Sequence, residues 1–227
     1  MMPMLSDKDF HIIDSDGRLT VRFAPGSGLS EHAVDFTDPT LLYRIRKGGG
    51  RTQAIAKAVG IKKGRALPTV LDHTAGFGRD AFVLAALGCR VHMLEKCPAV
   101  RELLADGLRR AQEDTEIGSW VTERLSLQDS DAPLPFAAQT VYIDPMYPAR
   151  KKSAAVKKEL QVLRALAGDE DLSVALFEQA MALAAERVVI KRPATAAFII
   201  PQKPDGIVET PNHRFEIYKR MTYDALK

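Results

Sequence analysis

An α/β fold is predicted by this sequence: a mostly parallel sheet with helices on both faces, preceded by a small β-rich N-terminal extension. Three observations carry the prediction. From Pro68 onward, short apolar runs alternate with amphipathic helical stretches, the rhythm of a parallel sheet covered on both sides. A glycine-rich turn, Gly76-Phe77-Gly78, follows the first of those runs. The composition, 46% hydrophobic and 27% charged over 227 residues, allows one large domain or one domain plus an extension with a proper core.

Taken in order, residues 1 to about 40 read as β-rich and irregular. Arg18 to Phe23 alternates like a half-buried strand, and Pro25-Gly26-Ser27-Gly28 breaks it. Residues 38 to 47 start a short helix that Gly48-Gly49-Gly50 interrupts. Thr52 to Val59 resumes the helical pattern, with Ala54, Ile55, Ala58 and Val59 on one side. Then follow a strand at Thr69 to Leu71, a helix at Arg79 to Leu87, a strand at Arg90 to Leu94 and a helix at Ala99 to Gln112. Strands at Arg124 to Gln128 and Val141 to Ile143 come next, then helices near Ala154 to Ala167 and Val174 to Ala185. The apolar strand Arg187 to Ile190 and an alternating strand, Arg214 to Lys219, complete the pattern. The plausible boundary is near residues 60 to 68, dividing an extension (1–62) from the sheet domain (63–227).

Bulk properties exclude several classes. No apolar run approaches the roughly 18 residues that cross a bilayer, and Met1-Met2-Pro3-Met4-Leu5-Ser6-Asp7 lacks the features of a signal peptide. Cys89 and Cys97 make neither a disulfide framework nor a metal site, and the five histidines form no spaced metal set. The expectation is a soluble cytoplasmic protein with no metal. A net charge of +3 is too small to argue for nucleic acid. Its distribution says more: Pro39 to Leu71 contains no Asp or Glu, yet holds Arg44, Arg46, Lys47, Arg51, Lys57, Lys62, Lys63 and Arg65. A second basic run, Arg150, Lys151, Lys152, Lys157 and Lys158, lies further on.

The turn Gly76-Phe77-Gly78-Arg79-Asp80-Ala81 matches the dinucleotide fingerprint G-x-G-x-x-A, where glycine lets the backbone approach a ligand closely. Glu95 follows the next strand at the spacing of an acid that accepts hydrogen bonds from ribose hydroxyls. That serves NAD and S-adenosylmethionine equally. Asp72, four residues before Gly76, tips the reading toward the methyltransferase pattern Asp-x-x-x-Gly-x-Gly. At the next strand end, Gln128 is followed by Asp129, Ser130 and Asp131, three candidates for the polar residue that meets adenine.

Asp144-Pro145-Met146-Tyr147 follows the apolar stretch Thr140 to Ile143. An exocyclic base amine is a poor nucleophile, because its lone pair is delocalised into the ring. Asp144 and the carbonyl of Pro145 are acceptors suited to its two N–H groups, and Tyr147 is placed to stack on the base. These three are the candidate catalytic residues, with Asp144 orienting the amine toward an activated methyl. Phosphates flank any base in a polymer, so Arg150, Lys151 and Lys152 are candidate RNA contacts. Lys191 and Arg192, after the strand Val188 to Ile190, form another basic element at the same sheet edge, placed to reach an RNA phosphate or to cap the strand into solvent.

These residues resemble one family. The segments Asp72 to Phe82, Gly88-Cys89-Arg90-Val91, Met93-Leu94-Glu95-Lys96 and Val141 to Pro148 are similar to ribosomal RNA small subunit methyltransferase J. So are Val188 to Pro193, His213 to Tyr218, Gly48 to Arg51 and Ala54 to Ile61. The resemblance spans roughly residues 45 to 220. It implies a Rossmann-like class I methyltransferase fold, S-adenosylmethionine as donor, and the N2 amine of a guanosine in 16S ribosomal RNA or the small ribosomal subunit as acceptor. By position it puts cofactor contacts on Arg79, Asp80, Glu95, Lys96, the Ser130 region and Asp144. The chain departs from the family pattern at His73, at Lys96 and across Gln128 to Asp131. The competing readings are an NAD-dependent oxidoreductase, which leaves Asp144 to Tyr147 without a role, and a non-catalytic RNA-binding module, against which the intact glycine loop argues.

Overall fold

The computed structural model describes residues 9–128, 134–146, 158–168 and 172–220. Tyr147, Arg150, Lys151, Lys152 and the run Asp129-Ser130-Asp131 lie outside the described residues.

The chain opens with a hairpin, β1 (Phe10–Ser15) paired antiparallel with β2 (Arg18–Phe23). Asp16 and Gly17 turn it, both at positive φ (56° and 76°), the backbone that tight two-residue hairpins need and that Asp-Gly accepts. The Asp14 carboxylate accepts from Gly17 N–H at 2.7 Å and pins the turn. Sequence reasoning found β2 and missed β1, although the Asp-Gly signal was present. Helix α1 (Pro39–Lys47) starts where Asp38 accepts from the N–H groups of Thr40 (2.9 Å) and Leu41 (3.0 Å), with Pro39 in the first turn. A single 3₁₀ turn (Gly50–Thr52) leads to α2 (Ala54–Val59), and Gly60 closes it in the left-handed region.

The sheet is built from β3 (Val70–Asp72), β4 (Val91–Met93), β5 (Leu125–Leu127), β6 (Thr140–Ile143), β7 (Arg187–Pro193), β8 (Gly206–Glu209) and β9 (His213–Lys219). Its order is β5-β4-β3-β6-β7-β9-β8. β3 to β7 are parallel, and β9 lies antiparallel between β7 and β8. The crossovers carry α3 (Arg79–Ala86), α4 (Pro98–Glu113), α5 (Gly118–Arg124), α6 (Lys158–Ala167) and α7 (Val174–Leu183). The seven-residue α5 and the edge strand β8 have patterns too short to read from sequence. The other described elements lie within a few residues of expectation, except that β7 continues past Ile190 to Pro193.

Alternation along the strands splits the interior in two. Val70, Met93, Tyr142, Val189 and Phe215 face one core with α2, α3 and α4, whereas Leu71, Val141, Ile143, Val188 and Tyr218 face a second with α7. Val21, Val34 and Phe36 join the first core, and Phe36 stacks on Phe82 at 4.9 Å. The Asp106 carboxylate of α4 accepts from Leu19 N–H at 3.1 Å. The N-terminal residues therefore share their apolar interior with the sheet. Among the described residues no helix is long and apolar enough to cross a membrane.

Candidate active site

The order of the sheet reverses at β3, which has β4 on one side and β6 on the other. Crossovers leave in opposite directions from such a point and open a crevice at the carboxyl ends of the strands. The two motifs meet there. After β3 the chain turns through Gly76 (φ 55°) and Gly78 (φ 72°) into α3. A Cβ on Gly78 would come within 2.9 Å of both Leu104 Cδ1 and Phe36 Cζ, so only glycine fits between the loop and the core.

Glu95, just after β4, organises this turn. Its Oε2 accepts from Gly76 N–H and its Oε1 from Cys97 N–H, both at 2.8 Å. One carboxylate thus ties the glycine loop to the N-terminal end of α4. Asp144, just after β6, is tied to the same loop, because its N–H donates to Thr74 Oγ1 at 2.7 Å. A cleft between the two segments is lined by His73, Thr74, Gly76, Glu95, Lys96, Asp144, Pro145, Met146, Leu163 and Ala167. Gly76, Glu95, Lys96, Asp144 and Pro145 were expected at the site; Thr74, Leu163 and Ala167 were not. The α6 residues come from a helix whose apolar pattern reads as ordinary core.

Behind the cleft lies a chain of charges. Lys191 Nζ is 2.6 Å from Asp144 Oδ2 and 2.8 Å from Asp80 Oδ2. Tyr142 donates its hydroxyl to Asp80 Oδ2 at 2.8 Å, and Arg44 of α1 reaches Asp80 Oδ1 at 2.9 Å. Burial pushes the Asp80 carboxyl up, but Lys191 and Arg44 outweigh it and hold Asp80 well below the usual carboxylate range. Burial raises Asp144, Lys191 pulls it down and Asp80 pushes it up again, leaving it above its ordinary value. Burial disfavours the Lys191 ammonium, yet the two carboxylates keep it protonated far beyond neutral pH.

Several expectations need correction. Lys191 and Arg192 are not an exposed basic element beyond a strand. They lie within β7, where β9 pairs with them (Lys191 with Phe215, Arg192 with Arg214). Arg192 is 3% exposed, and the Lys191 ammonium is spent on two carboxylates. Neither offers a phosphate a surface contact. Asp72 does not line the cleft. It is 2% exposed beneath the loop, where its carboxylate accepts from Thr74 N–H at 3.3 Å. Burial, then the charge of Asp80, raises its carboxyl well above the ordinary range. Asp80 also points away, into the charge chain, and Arg79 pairs with Glu159 at 3.1 Å on the neighbouring surface. Gly78 acts through packing.

A parallel sheet with one antiparallel strand inserted near its edge, a glycine loop after its first strand and an Asp-Pro segment at the switch point together define the class I methyltransferase fold. A family model described as "Putative SAM-dependent methyltransferase" matches residues 2–220. The crystal structure of a SAM-dependent methyltransferase from Neisseria gonorrhoeae superposes with a TM-score of 0.73 and 30% identity, covering 100% of this chain and 89% of that one. Ribosomal RNA small subunit methyltransferase J of Photobacterium profundum is 49% identical over 219 residues, 92% of this chain and 85% of the relative. The enzyme of the same name from Tolumonas auensis is 46% identical over 223 residues, 96% and 89% of the two chains. The chain belongs to the ribosomal RNA small subunit methyltransferase J family of S-adenosylmethionine-dependent enzymes. That closes the NAD reading left open by the G-x-G-x-x-A match.

The residues present fit the donor. Glu95 accepts a backbone N–H on each oxygen, from Gly76 of the loop and from Cys97 before α4, and a carboxylate oxygen can accept more than one hydrogen bond, as ribose hydroxyls require. The left-handed Gly76 presents a bare backbone to the cleft, and Leu163 and Met146 supply apolar wall.

Proposed function

We propose that this chain methylates the exocyclic N2 amine of a guanosine in 16S ribosomal RNA. The observation that carries the reading is that Asp144 and Pro145 line the same cleft as Gly76 and Glu95. An amine held by the first pair therefore lies beside a donor held by the second. The relatives' name, which specifies ribosomal RNA of the small subunit, supports the substrate class.

S-adenosylmethionine supplies a methyl group already activated on a sulfonium. This chain's own residues then have to hold, orient and exclude. Asp144 and the Pro145 carbonyl accept the two amine hydrogens and turn the nitrogen lone pair toward the methyl. Asp144 is itself bound to Lys191, so we give it an orienting role. The proton leaves for water once the new bond has formed. Tyr147 stacks on a base drawn out of its helix. The RNA path is supported by α1, which reaches the charge chain through Arg44 and exposes Tyr43 (68%) together with Arg46 and Lys47. Exposed Arg51, Lys57, Lys62, Lys63 and Arg65 extend the same acid-free segment. Arg150, Lys151 and Lys152 are proposed to continue it beyond the acceptor loop.

The test is mass-spectrometric mapping of methylguanosine in ribosomal RNA from a strain lacking the gene, alongside transfer assays on naked 16S RNA and on purified small subunits. Loss of one N2-methylguanosine, restored by the purified protein, supports the reading. An unchanged methylation map would end it.

A further inference from the structure

We propose that Lys191 is a positioning residue for methyl transfer, holding the Asp144 carboxylate ionised and aimed so that its second oxygen accepts the substrate amine. The proposal rests on the reading of Asp144 given above. It concerns a side chain that the sequence alone leaves either reaching a phosphate or capping a strand into solvent.

Charge and geometry carry the argument. Three carboxylates gather at the switch point: Asp72 at the end of β3, Asp80 in the first turn of α3 and Asp144 after β6. The other titratable groups facing Asp144 are Tyr142 on β6, Lys191 on β7 and Arg44 on α1, while His213 on β9 faces Lys191, Asp80 and Arg44. Among the described residues, Arg44 pairs with Asp80 Oδ1 and Tyr142 donates to Asp80 Oδ2. Lys191 is the cation that bridges the two ionised acids, at 2.6 Å from Asp144 and 2.8 Å from Asp80. A tetrahedral ammonium suits two carboxylates approaching from different elements, because its three donors diverge. Lys191 bonds to Oδ2 of Asp144, and among the described residues Oδ1 has no side-chain partner and is proposed to take the amine, while Thr74 fixes the backbone at the same residue.

Without Lys191, Asp144 and Asp80 repel across a part-buried space, and the more weakly countered Asp144 takes up a proton. A protonated Asp144 offers one acceptor fewer and a donor that points the wrong way. The chemistry is unchanged in balance: the N–C bond forms as the C–S bond breaks, and the amine proton passes to water.

Single-turnover rates at saturating donor and RNA, measured from pH 5 to pH 10, test this on wild type, Lys191→Met and Lys191→Arg. The expected result is a loss of about a hundredfold near neutrality for Lys191→Met. Its acid limb should move up by about 1–3 pH units, the size of shift that a nearby opposite charge produces. Activity should then recover toward alkaline pH. Lys191→Arg should keep the wild-type limb, and donor affinity by calorimetry should stay within about threefold in both. Carboxyl ¹³C NMR of Asp144 in the donor-free protein reads the same shift without turnover. This separates failure of the present proposal from failure of the rRNA reading, which would appear as a wild-type enzyme inert on ribosomal RNA. If Lys191→Met does not fold, Lys191→Gln takes its place. A folded variant whose acid limb and Asp144 titration coincide with wild type overturns the proposal.

Discussion

Glu95→Ala is the perturbation that the geometry defines best. The carboxylate accepts two backbone N–H groups at 2.8 Å, one from the glycine loop and one from the start of α4. A hydrogen bond to a charged group contributes about 1.5–3 kcal/mol. Glu95 is part-exposed, so water recovers some of the loss, and the lower end applies to each bond. The expected destabilisation is about 2–3 kcal/mol. At about 2–4 °C per kcal/mol for a domain of this size, the melting temperature should fall by about 5–10 °C. Donor binding loses more, because the loop is loosened and the acceptor for the ribose goes with it. A further 1.5–3 kcal/mol is tenfold or more in affinity. Glu95→Gln keeps one acceptor oxygen and should fall between wild type and Ala on both measures. Calorimetry with S-adenosylmethionine and S-adenosylhomocysteine, paired with thermal unfolding, reads both quantities. A Glu95→Ala protein melting within about 1 °C of wild type and binding the donor within about twofold would refute the reasoning.

Asp144→Ala should lower the single-turnover rate by about a hundredfold or more with the fold intact, Asp144→Asn should retain more activity, and near wild-type transfer by the Ala variant would sink the acceptor assignment. Tyr147→Ala should weaken RNA capture by about 1–3 kcal/mol, seen as a higher Kd with donor affinity unchanged. Replacing Arg150, Lys151 and Lys152 with Ala should flatten the salt dependence of RNA binding, since fewer counterions are released; an identical slope would mark that run as a solvated face. For Asp72 the folded pKa lies above the unfolded one, so its favourable contribution is present below about pH 3.9 and fades as pH rises through the folded value. Asp72→Asn, which mimics the neutral acid, should therefore gain stability relative to wild type between pH 5 and pH 9, and a pH-independent difference in denaturant titrations would contradict this.

Much of the fold was legible because its signals are local. The apolar runs of β3, β4, β6 and β7 and the amphipathic stretches of α3 and α4 repeat at periods that a single segment displays. Gly76 and Gly78 announce a strand-to-helix turn in the same way. The misses were local signals too weak or passed over: β1 despite its Asp-Gly turn, the seven-residue α5, and β8 on an edge where pairing with β9 outweighs propensity.

The sequence by itself determined that part of the cleft's lining would meet at one edge of the sheet. Gly76, Glu95, Lys96, Asp144 and Pro145 each follow a strand, and the carboxyl ends of parallel strands share one edge. What each charge does was decided only by the tertiary structure. Lys191 and Arg192 read as a strand end, because burying a charge is costly unless it is paired, and no partner stands near them in the chain. The partners of Lys191 are Asp144, 47 positions away, and Asp80, 111 positions away, and Asp80 is in turn met by Arg44 from α1. A charge's role depends on which opposite charge ends up within about 3 Å and how much water is excluded between them. Neither quantity exists until β6, β7, α3 and α1 have packed together.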